Sequence, residues 1–253
     1  MQILESKQAK NPIKNFLDKK IIEAVKASNL QHIAIIMDGN RRWAKEHKLP
    51  SMMGHKKGVD ALKNITKACD DFGVKYLTLY AFSTENWNRK KEEVDFLMEL
   101  MVTTLNNEIK ELNEKNVKMN YIGDLTKLNP TLRKTLDNSK ELTKNNTGVV
   151  LTVAINYGAR DEIVHAIKGI IADGISFSDI DENLVSKYLY TNDLPNPDLL
   201  IRTSGEKRIS NYLLWQIAYS EVYITDTYWP DFDKNALAAA IKEFALRERR
   251  LGK

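Results

Sequence analysis

Apolar and polar positions alternate along this chain in two periods, and the switches between them lay out its elements. Ile33, Ala34, Ile35, Ile36 and Met37 form an unbroken apolar run that stops at Asp38, Gly39, Asn40, Arg41 and Arg42. A run so short and continuous reads as a strand buried on both faces, ending in a polar, glycine-hinged turn. Upstream, Ile13, Phe16, Leu17, Ile21 and Val25 recur at helical spacing within residues 12–28, with Pro12 suited to a first turn. The spacing predicts a leader helix within residues 1–30, ahead of a main domain over 31–253.

The same two periods continue downstream. Residues 43–47 begin a short helix that Pro50 breaks, and a second helix over 54–71 closes at Gly73. A strand over 75–82 runs into the polar stretch Ser83, Thr84, Glu85, Asn86, Trp87, Asn88, Arg89. Val94, Leu97, Met98, Met101, Leu105, Ile109 and Leu112 form one stripe of a long helix over 91–115. Residues 117–123 read as a strand, 129–144 as a helix opened by Asn129-Pro130, and 148–155 as a strand ending at Asn156, Tyr157 and Gly158. Helices over 160–172 and 181–190 precede a strand over 198–201 that ends in Arg202, Thr203, Ser204 and Gly205; a strand over 222–225 and a helix from Asp233 complete the order. Strands alternating with helices predict an α/β fold, a single domain with a mostly parallel central sheet flanked by helices. Such a sheet binds its ligands beyond the carboxyl ends of its strands, so the four polar clusters should share one rim.

Composition narrows the classes. With 253 residues and 43% hydrophobic content the chain buries a sizeable core. Its net charge of +4 is spread through helices and suits an anionic small substrate. No basic arm or stacking platform supports nucleic-acid binding. The single Cys69 falls within a helical apolar pattern and reads as a small buried hydrophobe. Neither an apolar signal core near the N-terminus nor a membrane-length apolar run occurs, so a cytoplasmic protein is expected.

The chemistry concentrates where strands end. A carboxylate beside two arginines and a glycine suits a metal-chelated phosphate: Asp38 can hold Mg²⁺, Arg41 and Arg42 can grip phosphate oxygens, and Gly39 admits close backbone approach. A lone Asp-Gly would read first as an exposed turn. A second cluster, Arg202 to Asn211, brings three cations and several hydroxyls into ten residues, either a second phosphate site or a surface loop. No P-loop occurs, and no two of the eleven glycines stand two apart, so a dinucleotide fingerprint is absent as well. One cysteine excludes cysteine-based zinc sites, and Asp70-Asp71 reads as a solvated helix end.

The segments HIAIIMDGNRRWA, GHKKG, YLTLYAFSTENWNR, NYGAR and LIRTSGEKRISNYLLWQIAYSE, followed by WPDF, together resemble the cis-prenyltransferase family, and within it the bacterial undecaprenyl diphosphate synthases. The resemblance spans roughly residues 32–251. It implies consecutive condensation of isopentenyl diphosphate onto farnesyl diphosphate to give undecaprenyl diphosphate, a carrier-lipid precursor for the cell wall. It further implies Mg²⁺, an apolar product tunnel, a homodimer, and transient contact with the inner face of a membrane. Residue by residue, Asp38 resembles the Mg²⁺-linked aspartate. Gly39, Asn40, Arg41, Arg42, His55 and Arg89 match positions that hold the allylic diphosphate. Trp43 and Trp87 flank that substrate, with Ser83, Thr84 and Glu85 nearby. Asn86 matches the residue assigned to proton removal. Arg202, Arg208, Ile209 and Ser210 resemble the isopentenyl diphosphate site, and Glu221 the second Mg²⁺ contact.

This chain departs from the family pattern at Ser51, where many members carry Arg, with Arg41 or Lys48 available to compensate; Ala159 and Lys90 replace a frequent Gly and Pro. Ala81, small among Leu79, Tyr80 and Phe82, leaves room for a growing product, although ordinary core packing accounts for it as well. A product of different length, or a non-catalytic prenyl-diphosphate-binding subunit, are the alternatives.

Overall fold

A computed structural model describes residues 12–248, with side chains from residue 17 onward. The expectations for residues 1–11 lie outside the described residues, and those for Ile13 and Phe16 as core positions lie outside the described side chains.

Six strands form one sheet in the order β3-β4-β2-β1-β5-β6, and every neighbouring pair is parallel. These are β1 (His32–Ile36), β2 (Tyr76–Ser83), β3 (Lys118–Ile122), β4 (Val150–Tyr157), β5 (Leu199–Arg202) and β6 (Glu221–Ile224). Parallel pairing explains the continuous apolar run of β1, whose five residues are all buried, because both faces of the sheet are covered. Ile33 and Ile35 point into the larger core, and Ala34 and Ile36 into a smaller one on the opposite face.

The larger core is closed by α1 (Pro12–Ala27), α3 (Ser51–Phe72), α4 (Lys91–Glu114), α5 (Pro130–Thr143) and α8 (Lys234–Leu246). Among its members are Ile21 and Val25 of the leader helix, so α1 is part of the packed body. Lys234 ties three of these helices together, pairing with Asp18 at 2.8 Å and Asp71 at 3.0 Å. Asn129 caps α5 through its side chain, which accepts from Leu132 N, and Pro130 follows at the first helical position. The smaller core sits beneath α6 (Ala159–Ala172) and the non-helical segment around Tyr212, Leu213 and Ile217, with α7 (Glu182–Tyr188) beyond. Cys69 is fully buried, and burial pushes its thiol far up, as suits a hydrophobe rather than a nucleophile.

His32 shows how the centre of the sheet is stitched. Its Nδ1 donates to the Pro195 carbonyl at 2.6 Å, which leaves Nε2 to accept from the Thr78 hydroxyl at 2.7 Å. Burial holds this imidazole neutral, with its pKa lowered to about 4. The remaining short helix, α2 (Asn40–Glu46), leaves the carboxyl end of β1 and packs on α3.

Candidate active site

β1 pairs with β5 so that Ile36 lies beside Arg202, and the next residues, Met37 and Asp38, overhang the rim of the sheet. Asp38 therefore meets the guanidinium of Arg202: Nη2 donates to Asp38 Oδ2 at 2.9 Å. Arg42, one helical turn on, reaches Oδ1 of the same carboxylate at 3.1 Å. Thr203 closes the corner, accepting from Asp38 N at 2.9 Å and donating to the Asp38 carbonyl at 2.7 Å. Burial favours the protonated acid, but the hydrogen bonds and charges of Arg202 and then Arg42 outweigh it, so Asp38 is held ionised below its usual value.

Gly39 makes this turn possible. Its φ is 106°, and a Cβ there would stand 2.7 Å from the Tyr228 ring. Its N–H donates to Asp38 Oδ1 at 2.7 Å, and its backbone opens α2. Gly54 and Gly58 of α3 lie against Asn40, and a Cβ at Gly54 would fall 1.9 Å from the Asn40 carbonyl. The close approach of α2 and α3 brings His55 to the same rim, and Arg89, two residues ahead of α4, lines the same cavity.

Glu93 lies among these side chains and Arg41. Its Oε1 lies 3.0 Å from Arg89 Nη1 and 3.6 Å from His55 Nε2, and its Oε2 lies 3.9 Å from Arg41 Nη1. Burial, followed by the Arg89 charge, keeps His55 neutral with a pKa lowered to about 4. Glu206 plays the matching part between the two basic clusters, accepting from Arg42 Nη1 at 2.8 Å and pairing with Arg208. On the second cluster, Arg202 Nη1 donates to Ser210 Oγ at 2.8 Å and to the Arg208 carbonyl. Four buried side-chain polar atoms at this rim make no hydrogen bond among the described residues: Asn40 Oδ1, His55 Nε2, Arg202 Nε and Ser204 Oγ. Polar atoms left unpaired in a cleft are what an incoming polar ligand satisfies.

Three cavities meet here. An open cradle of about 910 Å³ is lined by Asp38, Arg41, Arg42, Arg89 and Arg208. A second cleft of about 580 Å³ shares Asp38, Arg89 and Arg208 with it and adds Ser83, Glu85, Asn86, Arg202 and Ser210. An apolar cavity of about 140 Å³ runs between the sheet and helices α3 and α4, past Ala81, Leu97, Met101, Leu105 and Ile155. Met37, Asn40 and His55 line all three. Ala81 sits in a register irregularity between β2 and β4, where Tyr80 pairs with Ala154 and Phe82 with Ile155. The bulge turns a small side chain toward the junction of the apolar cavity and the second cleft.

Not every expected residue joins this rim. Glu221 opens β6 beside Leu199, at the far end of β5 from Arg202, where its Oε2 accepts from Arg247 at 2.8 Å. Within one chain it therefore does not meet Asp38. Trp43 is buried, stacked on His47 with centroids 4.1 Å apart, and lines none of the three cavities. Trp87 is tethered through Nε1 to Asn156 Oδ1 at 2.7 Å and packs edge-on against Phe82. Neither indole flanks the cradle. Thr84 and Ile209 also stand outside the cavity linings, Thr84 against Gly158 and Ile209 at the surface. Asn86 lines the second cleft, and its Oδ1 accepts from Ser83 N at 3.2 Å in a reciprocal cap of the 3₁₀ turn Thr84–Asn88. Thr203, Glu93 and Glu206 carried no signal of their own in one sequence: Thr203 acts through hydrogen bonds to the Asp38 backbone, and the two acids stand within basic clusters.

The family described as "Putative undecaprenyl diphosphate synthase" matches residues 36–252. The chain belongs to the cis-prenyltransferase family. The isoprenyl transferase of Clostridium tetani (strain Massachusetts / E88) is 54% identical over 226 residues, which cover 88% of this chain and 89% of that protein. The isoprenyl transferase of Neisseria gonorrhoeae (strain ATCC 700825 / FA 1090) is 49% identical over 223 residues, 88% of this chain and 89% of that one. Among solved structures, lavandulyl diphosphate synthase from Lavandula x intermedia, determined with dimethylallyl diphosphate, superposes with a TM-score of 0.86 at 37% identity, covering 89% of this chain and 99% of that one. A "probable undecaprenyl diphosphate synthase" from Campylobacter jejuni gives 0.76 at 36% identity, with 88% and 99% covered. As a cis-prenyltransferase, the chain needs basic clusters for diphosphates and apolar space for prenyl chains, and both occur at this rim.

Proposed function

We propose that this prenyltransferase condenses isopentenyl diphosphate repeatedly onto farnesyl diphosphate, each step leaving a cis double bond, to give undecaprenyl diphosphate for cell-wall polysaccharide assembly. The observation that carries the reading is the junction at Met37, Asn40 and His55, where two cation-lined clefts open into one apolar cavity. Two diphosphates repel strongly at close range, so a site that joins their carbon chains must neutralise both. On this reading Arg41, Arg42, His55 and Arg89 hold the allylic diphosphate, and Arg202, Arg208 and Ser210 the isopentenyl diphosphate. The apolar walls exclude the water that would trap an allylic cation. Asn86, a neutral amide and a poor base, orients the proton acceptor, a water or a diphosphate oxygen.

Asp38 is the residue that would hold Mg²⁺. Among the described residues no three His, Cys, Asp or Glu side chains form a metal cage. A single carboxylate fits Mg²⁺ nonetheless, since this ion is usually held by one or two carboxylates, substrate phosphates and water. Bound there, it would offset the charge developing on the departing diphosphate. The reading extends to a homodimer in the cytoplasm that touches a membrane surface transiently, because the substrates are soluble and a long polyprenyl product is not. No helix among the described residues is long and apolar enough to cross a membrane.

The test is a mass-spectrometric product assay with Mg²⁺, isopentenyl diphosphate and farnesyl diphosphate, with Asp38→Ala alongside. A product of undecaprenyl mass, largely lost in the variant, is expected. A shorter or longer product moves the assignment of chain length. No product from farnesyl, geranyl or dimethylallyl starters turns the reading toward a binding subunit.

A further inference from the structure

The stretch from Arg41 to Asp60 is locally basic, with six cations and two acids. Arg41 and Arg42 are engaged by Glu93, Asp38 and Glu206, and the four lysines remain for the outer surface. The two acids are already engaged: Glu46 accepts from the Tyr228 hydroxyl at 2.5 Å, and Asp60 pairs with Lys57 at 3.3 Å. Lys45, Lys48 and Lys56 are exposed and have no partner among the described residues. Within this basic field three large apolar side chains face outward at the turn from α2 into α3: Leu49 at 40%, Met52 at 40% and Met53 at 42% exposure. Lys56 and Lys57 follow one helical turn after Met52 and Met53. A protruding apolar tip ringed by cations is the pattern by which a folded surface lies on anionic lipid: the tip enters the headgroup boundary and the lysines meet the charge.

We propose that the corner from Lys45 to Lys57 is a docking surface for a membrane leaflet bearing anionic lipid headgroups. Lys45, Lys48, Leu49 and Pro50 also line the open cradle, so docking sets the mouth of the site against the bilayer. A product with a charged head and an insoluble tail then passes to lipid without crossing bulk water. Lipid as the occupant rests on the long-chain product proposed above, whereas the binding itself does not depend on turnover. Met52, Met53, Lys56 and Lys57 line none of the three cavities, which separates this surface from diphosphate recognition.

The experiment is co-sedimentation of the full chain with phosphatidylcholine vesicles, with and without phosphatidylglycerol, at low and high salt. Binding only to the anionic vesicles, weakened by salt, is expected. The double variant Met52→Glu/Met53→Glu should lose at least about tenfold in vesicle affinity. Acidic residues suit the first turn of a helix, so α3 is retained. Unchanged affinity for inorganic diphosphate and an unchanged near-ultraviolet spectrum verify the fold. Lys56→Gln/Lys57→Gln should remove much of the salt dependence. Equal binding to both vesicle types, no binding, or full binding by the methionine variant overturns the proposal. A chain that makes a long product yet ignores vesicles overturns this inference alone; one that binds vesicles and makes no long product overturns only the product reading.

Discussion

Asp38 stands between two arginines before any substrate arrives, and that arrangement sets what its loss costs. Arg202 is almost fully buried, with only 5% of its side chain exposed, so Asp38→Ala strands a cation in the core rim. We expect a stability loss of about 2 kcal/mol by denaturant titration, in addition to the loss of activity. Because the folded state lowers the Asp38 pKa, this carboxylate contributes stability above its unfolded value near 3.8, and the contribution fades as pH falls through the lower folded value. His55 moves the other way on binding. The site holds it neutral, with a pKa of about 4 against an ordinary 6.5, and an adjacent diphosphate raises that value. Between those two pH values diphosphate binding should take up a proton. Calorimetry in buffers of different ionisation enthalpy reads this uptake, and His55→Asn should abolish it.

At the scale of elements, the site depends on how closely α2 approaches α3. A Cβ at Gly54 cannot be accommodated 1.9 Å from the Asn40 carbonyl, so Gly54→Ala must push the helices apart. A destabilisation of about 2–3 kcal/mol is expected from such overpacking, seen as a lower melting temperature, together with weaker diphosphate binding as Asn40 and His55 shift. The bulge in β2 gives a second prediction. Ala81→Leu fills the junction of the apolar cavity and should shift the products toward shorter chains on mass spectrometry, with the first condensation retained. The strand positions, their polar ends and the Asn129 cap were legible because each rests on local pattern: an apolar run that stops, or a capping residue before proline. The bulge was not legible, since the register of β2 is set by β4, which follows nearly seventy residues later. The partners of Trp43 and Trp87 were not legible for a related reason: the stacking of Trp43 on His47 and the hydrogen bond from Trp87 to Asn156 depend on how the chain folds back on itself.

Over the whole molecule, the order of strands decides which clusters meet. Alternating strands and helices indicated a shared rim, and the β2-β1-β5 centre of the sheet brings Ser83, Asp38 and Arg202 to it. Glu221 falls elsewhere because it opens β6 at the amino end of the parallel sheet, beside Leu199 and away from the rim, a fact of register that spacing alone does not carry. The cations at the cradle mouth also have a kinetic reading. Cations around the cradle mouth draw anionic substrates inward, and salt screens that attraction. Raising ionic strength should lower kcat/KM several-fold while leaving kcat much less affected, as steady-state assays at constant Mg²⁺ would show.

The pairing of β1 with β5 has one more consequence, for how the chain is made. Asp38 and Arg202 are 164 residues apart. At ordinary ribosomal speeds that separation is roughly 10–30 s of synthesis. Throughout that interval β1 can pair with β2 on one side only, and its other edge stays open, apolar and able to recruit foreign strands. The nascent chain therefore carries an aggregation hazard midway through translation, and the arginine that lines the second cleft also arrives with the strand that seals this edge.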